Sequence, residues 1–314
     1  MSRALFVLGG TGFIGREVVR EAVAAGHTVR ALARSDDSAR ALAAAGAEPV
    51  RGDAAKPAEW AGHVRGTDVL VDLVQPPLPK RLSGSAVASI VRDRVAFSEA
   101  LGRELVSIPV AERPVWFSIS GADDLEPQNG VISHDSPHRR EPRGFARIGV
   151  PILRAVQGTG ADVACVYLGV MVYGPGKAFA EFFVEALKKG RARVIGKGDN
   201  RLPIVHVTDA ARALVQLAGL PREQLVGRSF LAADGADATG RELLAETARL
   251  MGRKPPGSAP VWLVGLIAGR TAAEAMTFDA HVDNSALLAT GFEYRYPSYR
   301  EGVRQTLADL GELA

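Results

Sequence analysis

The run Gly9-Gly10-Thr11-Gly12-Phe13-Ile14-Gly15 is the segment whose residue types and spacing define a chemistry most directly. A glycine at Gly9 permits a tight turn, one at Gly12 lets backbone N–H groups approach an anion, and one at Gly15 allows close helix–strand packing. An apolar run, Ala4–Leu8, precedes the glycines, and a segment with apolar Phe13, Ile14, Val18, Val19 and Val23 follows them. Strand, glycine turn and positive helix end together form a cradle for a pyrophosphate. All seven residues of the run are therefore candidate cofactor contacts, with a purely structural turn as the competing explanation.

The end of the second apolar run, Ala31-Leu32-Ala33-Arg34-Ser35, bears on which dinucleotide is bound. An acidic residue there would bind a ribose 2′-hydroxyl and repel a 2′-phosphate. Arg34 can pair with the phosphate and Ser35 can hydrogen-bond it, although both would also serve as solvated loop residues. NADP(H) is the expected cofactor. Asp53, in Arg51-Gly52-Asp53-Ala54, suits either the adenine edge or a turn cap, and Val74 closes the fourth apolar run at the same edge.

Elements must carry these residues to one place. Strands are expected at Ala4–Leu8, Thr28–Ala33, Ala47–Arg51, Asp68–Val74, Val115–Ile119 and Asp162–Leu168, with helical segments between them. The runs are apolar without strict alternation, as in strands covered on both faces. This predicts an α/β, Rossmann-type doubly wound parallel sheet. In the second half, Phe179–Leu187, Arg241–Met251 and Glu301–Leu310 read as helices, and Ile204–Val207 and Ser229–Ala232 as short strands. Residues 1–175, with return segments near 203–234, are expected to form the dinucleotide-binding domain. Residues 176–202 and 235–314 are expected to form a smaller, discontinuous substrate or lid domain.

Composition excludes several classes. A net charge of +3 over 314 residues, with no basic run longer than pairs such as Arg139–Arg140 and Lys188–Lys189, gives no nucleic-acid footprint. Cys165 is the single cysteine, which excludes an intrachain disulfide and a cysteine-based metal site, and its apolar run predicts a buried, inert thiol. Pro260–Ala268, the most apolar later stretch, is too short to span a bilayer and reads as a lid segment or as core. A soluble cytoplasmic monomer or homodimer is expected, with no membrane partner and no metal.

The chain resembles the extended short-chain dehydrogenase/reductase family. The resemblance rests on the glycine run, on Val172-Tyr173-Gly174-Pro175-Gly176, on Ile204-Val205-His206-Val207-Thr208-Asp209-Ala210-Ala211 and on Leu288-Ala289-Thr290-Gly291-Phe292. His206 is expected to be structural and Asp209 to cap the following helix. The resemblance implies a Ser that polarises the substrate carbonyl, a Tyr that exchanges the proton, and a Lys one helical turn on that lowers the Tyr pKa. Ser120 matches the first role, but Phe145 stands at the Tyr position and Gly149 at the Lys position. No Tyr precedes Tyr167, and 88–101 lacks the family's Asn. Leu202 stands where the nucleotide-sugar branch has its phosphate-binding Arg, with neighbouring Arg201 as the alternative for that role.

These departures imply an NADPH-dependent ketoreductase acting on an apolar, aromatic polyketide hydroxyketone. Its proton would come from the substrate or water and not from a Tyr. Asp123, Asp124, His134 and His138 are other possible donors, with loop solvation or capping as their ordinary roles. The alternatives are a non-catalytic NADP(H)-binding redox sensor, or an epimerase or dehydratase with unusual acid and base residues.

Overall fold

Strands β1 (Ala4–Leu8), β2 (Thr28–Ala33), β3 (Glu48–Arg51), β4 (Val69–Asp72), β5 (Val115–Gly121), β6 (Val163–Leu168) and β7 (Ser229–Ala232) form one sheet. The computed structural model describes residues 2–314 except 77, 80 and 178. The sheet order is β7-β6-β5-β4-β1-β2-β3, and every pairing is parallel. Because β1 lies between β2 and β4, strand order reverses beside it, and a crevice opens there at the carboxyl edge.

The strands are apolar on both faces because each face meets helices. Leu5 and Val7 join a core with Val18, Val19 and Ala22 of helix α1 (Phe13–Ala24). Helix α2 (Asp36–Ala44) adds Leu42 to the same layer. Phe6 and Leu8 point the other way, toward Phe97, Leu101 and Leu105 of α3 (Gly84–Ser107) and Leu153 and Val156 of α4 (Ala146–Gly158). Helix α5 (Val207–Ala218) completes the first layer through Ala210, Ala211 and Leu214. Cys165 is buried in the second core, as its apolar run predicted.

A third core gathers Tyr173, Phe179, Val184, Ile204, Leu243, Leu244 and Val303. It brings together the short parallel pair Met171–Tyr173 and Ile204–His206, helix α6 (Gly240–Leu250) and the terminal helix. Between them lie α7 (Val261–Ala268), α8 (Arg270–Ala275) and, past Ser285–Leu288, the terminal helix α9 (Tyr299–Asp309). Among the described residues no helix is long and apolar enough to cross a membrane.

Several local expectations are corrected. Strand β4 stops at Asp72, because the Asp72 carboxylate accepts the Val74 N–H at 3.1 Å and turns the chain. The strand expected to reach Val207 ends at His206, whose Nδ1 accepts the Thr208 N–H at 3.2 Å and caps α5. Asp209 therefore does not cap. It accepts the N–H groups of Arg295 and Tyr296 at 2.7 and 2.8 Å and ties a distant loop to α5. The expected helix over Phe179–Leu187 opens as a π-helical turn, Phe179–Val184, before Glu185–Lys188 continues as α-helix.

The tightest junction of the sheet with α1 lies at Gly15. A β-carbon there would stand 2.8 Å from the Gly9 carbonyl carbon and 2.9 Å from Gly10 Cα, both backbone atoms. Gly15→Ala should lower the unfolding free energy by about 1–3 kcal/mol, the usual cost of overpacking. Urea unfolding measures it, and an unchanged midpoint would show that α1 can move away from β1.

Candidate functional site

The glycine turn sits at the mouth of the crevice. Gly9 has φ of +75°, and a β-carbon on it would meet the Leu73 carbonyl oxygen, the first residue beyond β4, at 2.9 Å. The Gly12 N–H donates to the Gly9 carbonyl at 2.9 Å, and Gly12 then enters α1 in extended conformation. Helices α2, α3 and α6 are capped by the hydroxyls of Ser35, Ser83 and Thr239. No side chain caps α1, and its first turn carries no acidic residue. Its leading N–H groups and its positive end are thus left for an anion. A pyrophosphate fits this cradle.

The other cofactor candidates fall into two groups. Thr11 and Gly12 are exposed, whereas Gly10 is buried against Leu42 and Ala31, which a β-carbon would meet at 3.0 and 3.3 Å. Ile14 packs against the first core. The Phe13 ring lies beside Gly174 and Gly176, and Arg16 donates to the Pro175 carbonyl at 3.3 Å. Arg34 is exposed and makes no ion pair among the described residues, while nearby Asp36 is occupied by Arg51 at 3.1 Å. Ser35 accepts the Ser38 N–H at 3.2 Å, so its oxygen is engaged as a cap. Asp53 accepts the Ala55 N–H at 3.0 Å within its own turn, and the side chain of Val74 packs on the second core.

The second part of the site lies at the end of β5. Ser120, half-buried, donates its hydroxyl hydrogen bond to Asp124 Oδ2. Asp124 lies on the short 3-10 turn Ala122–Asp124 and is 1% exposed. Its carboxyl group fills the space above Gly149, where a β-carbon would lie 2.6 Å from Asp124 Cγ. Burial, and then the neighbouring Asp123 charge, push Asp124 well above the usual carboxylate range. Asp123 is raised to about 6 by burial, against the pull of Arg139 and of the N–H groups of Phe145 and Ala146. Phe145, partly buried, packs with Leu82, Val87 and Ile90.

The other proposed donors are drawn elsewhere. His138 Nε2 lies 2.5 Å from the Tyr167 hydroxyl, and burial, then Arg154, lowers its pKa. His134 faces Asp135 at 3.3 Å. Of the four, only Asp124 touches Ser120. The clue available in the sequence was the pair Ser120 and Asp124 together with a glycine at Gly149.

Sequence reasoning missed two supports. Arg94 of α3 reaches across to Asp72 at 2.9 Å, leaving the carboxylate 2% exposed, and so holds the turn at Val74. Glu274 of α8 accepts from Arg147 Nε and Nη2, both at 3.0 Å, from the Gly144 N–H at 3.0 Å and from Arg270 at 2.6 Å. Partial burial works to raise its pKa, but these donors hold the carboxyl down at about 2. Helix α8 is thereby fastened to the start of α4. Beside it, α7 is apolar yet has no buried residue, with Trp262, Leu266 and Ile267 about two-thirds exposed. This excludes core packing for Pro260–Ala268. Val261, Trp262, Leu266, Arg270, Glu274 and Arg81 line an open cavity of about 460 Å³.

Comparisons with known proteins agree with this geometry. A family described as NAD(P)H-binding matches residues 9–92, which span the glycine turn, the end of β2 and the first part of α3. An uncharacterized protein of Schizosaccharomyces pombe is 30% identical over 221 residues, covering 67% of this chain and 69% of that protein. The 4-hydroxy-2-methyl-3-oxo-4-farnesyl-3,4-dihydroquinoline-1-oxide ketoreductase of Stigmatella aurantiaca is 24% identical over 310 residues, covering 95% and 85%. The human epimerase family protein SDR39U1, solved with NADPH, superposes with a TM-score of 0.79 at 20% identity, covering 98% and 99%.

Gly12 offers a test of the cradle that leaves packing alone. Its φ is −74° and a β-carbon on it would meet only the Gly9 oxygen, at 3.1 Å. Gly12→Val should therefore fold, with its branched side chain standing where the anion must approach. Fluorescence titration should show NAD(P)H binding weakened at least tenfold, and normal binding would mean the turn is misassigned.

Proposed function

The chain belongs to the NAD(P)H-binding, epimerase-like extended short-chain dehydrogenase/reductase superfamily, and on that premise we propose that it is an NADPH-dependent ketoreductase. Its substrate is an apolar aromatic hydroxyketone of polyketide type, in the manner of the angucyclinone ketoreductase of simocyclinone biosynthesis. The observation that carries the reading is the pairing of an intact cofactor turn with a retained Ser120, where Phe145 and Gly149 replace Tyr and Lys. An epimerase or dehydratase that leaned on that Tyr would lack its acid and base.

The full-length likeness to the Stigmatella ketoreductase supports the substrate class, since that enzyme's named compound has a 3-oxo group beside a 4-hydroxyl and a farnesyl chain. The apolar α7 and its cavity suit such a body, and we take 176–202 and 235–314 as the substrate-binding part.

When bound, reduced NADP supplies the hydride. Gly9, Thr11, Gly12 and Phe13 would hold the pyrophosphate and Arg34 the 2′-phosphate, with Ser35, Asp53 and Val74 along the adenosine side. Ser120 orients the carbonyl oxygen by hydrogen bonding. The proton comes, in the end, from a substrate hydroxyl or from water and not from a tyrosine, because no Tyr precedes Tyr167. The same loss supports a second reading, a non-catalytic redox sensor that binds NADP(H) and turns nothing over.

Assaying NADPH oxidation against a panel of aromatic hydroxyketones separates the two. Turnover is expected, and tight NADPH binding without turnover of any member would favour the sensor. Arg34→Ala should weaken NADPH by about 1.5–3 kcal/mol, the worth of a hydrogen bond to a charged group, and leave NADH nearly unchanged. Calorimetric titration of the unmodified protein showing NADH bound as well as NADPH would overturn the cofactor choice.

A further inference from the structure

We propose that Ser120 hands the proton to the reduced carbonyl oxygen and is resupplied by the carboxyl of Asp124, which occupies the place vacated at Gly149. The inference rests on the reductase reading and deepens it. It replaces a substrate hydroxyl as the immediate donor and leaves water as the source that recharges Asp124.

Geometry carries it. The hydroxyl of Ser120 and the carboxyl of Asp124 are already hydrogen-bonded, one group half-buried at the crevice and the other behind it. With the carboxyl in place, position 149 has no room for a side chain, since even a β-carbon would fall 2.6 Å from Asp124 Cγ. Asp124 and Gly149 are thus two halves of one arrangement, which excludes a lysine at 149.

The surroundings keep that carboxyl neutral. Among the described residues neither Asp124 nor Asp123 has a cation within ion-pairing distance. Asp123 Oδ2 is buried with no hydrogen-bond partner, so a like charge only partly offset by Arg139 and backbone N–H groups stands beside Asp124. Arg139 is the cation that faces the pair, but its Nε is spent on the Asp123 carbonyl at 2.8 Å and its backbone N–H on the Asp124 carbonyl at 2.8 Å. From β6, Cys165 and Tyr167 face the group, and burial raises the pKa of both, so neither supplies charge. An isolated buried carboxylate is costly, and protonation is the cheaper state.

The balance is simple. A hydride adds its electron pair to the carbonyl carbon, the C=O π bond breaks, and the oxygen takes the Ser120 hydroxyl proton. For this step the Ser120–Asp124 hydrogen bond runs in the opposite sense, the neutral Asp124 carboxyl donating to Ser120 Oγ, which takes that proton as it gives up its own. Asp124 is left as carboxylate until solvent returns the proton, and in the oxidative direction it would be the base.

The test uses the full-length protein, NADPH, and a tetralone with a peri hydroxyl beside its ketone, together with its methyl ether. Infrared spectra of the protein without cofactor should show a neutral-carboxyl stretch at neutral pH that Asp124→Asn removes. Asp124→Asn should lower kcat by about 10²-fold or more, the range of a general acid, with KM and NADPH affinity unchanged. In the unmodified protein kcat should fall as pH rises through the Asp124 pKa, while the variant stays flat. The methyl ether should be reduced at nearly the parent rate. An absent infrared band would overturn the assignment, as would wild-type kcat and pH profile in Asp124→Asn, or loss of turnover on the methyl ether alone. If the unmodified protein binds NADPH and reduces neither ketone, the reductase reading itself falls, and the relay with it.

Discussion

The close contact of Gly15 with the backbone of Gly9 and Gly10 is the constraint on which the nucleotide half depends. It lets α1 start almost on top of the end of β1, so the first turn of the helix aims at the point where strand order reverses. Moving α1 outward would open a gap under Val18 and Val19, both fully buried, and would turn its uncapped N–H groups away from the crevice. A single interatomic limit therefore couples core packing to anion binding. The same limit explains why Gly12, two strides nearer the solvent, can be read as a binding residue while Gly15 is a packing one.

A second constraint acts at the ends of β4 and β5, where Asp72, Asp123 and Asp124 are buried. Asp72 is paired with Arg94 and spends an oxygen on the Val74 N–H, so its charge serves the backbone turn. Asp123 is pulled back by Arg139 and by backbone donors at the start of α4. Asp124 has Ser120 as its side-chain donor, and burial and then the Asp123 charge raise its proton affinity. Burial alone would treat the three alike. What separates them is the kind of partner, and Asp124 is the one in contact with the serine at the crevice.

The sheet was legible in the sequence because its central strands are covered on both faces and are mostly apolar. The limits of β1, β2 and β7 follow directly from such runs, and the glycine turn follows from its position between a strand and a helix. The misread ends were set by side chains acting on the backbone. Asp72 curtails β4 and His206 starts α5, and neither effect leaves a pattern in hydropathy. Asp209 looked like a cap because of its position, yet its partners lie at Arg295 and Tyr296, a long way off in sequence. The site was legible by halves for the same reason. That positions 145 and 149 carry Phe and Gly could be read in the sequence, whereas the occupant of the space above Gly149 needed the turn Ala122–Asp124 to fold back onto α4.

The apolar helix α7 gains its meaning from what holds it in place. Its end is fixed by the Leu82 N–H on the Ala268 carbonyl at 2.9 Å, and the next helix is fixed by Glu274 to Gly144 and Arg147. Both anchors land on the ground around Phe145, the side chain that stands where the proton-exchanging tyrosine would be. A carboxylate held at about 2 by three donors keeps its charge at any ordinary pH, so this fastening does not loosen when the buried acids nearby titrate. The apolar surface of Trp262 and Leu266 then lines the open cavity beside Glu274, which is itself tied to the start of α4. Phe145 packs instead with Leu82, Val87 and Ile90, so its ring continues the small apolar cluster that α7 is anchored to through Leu82.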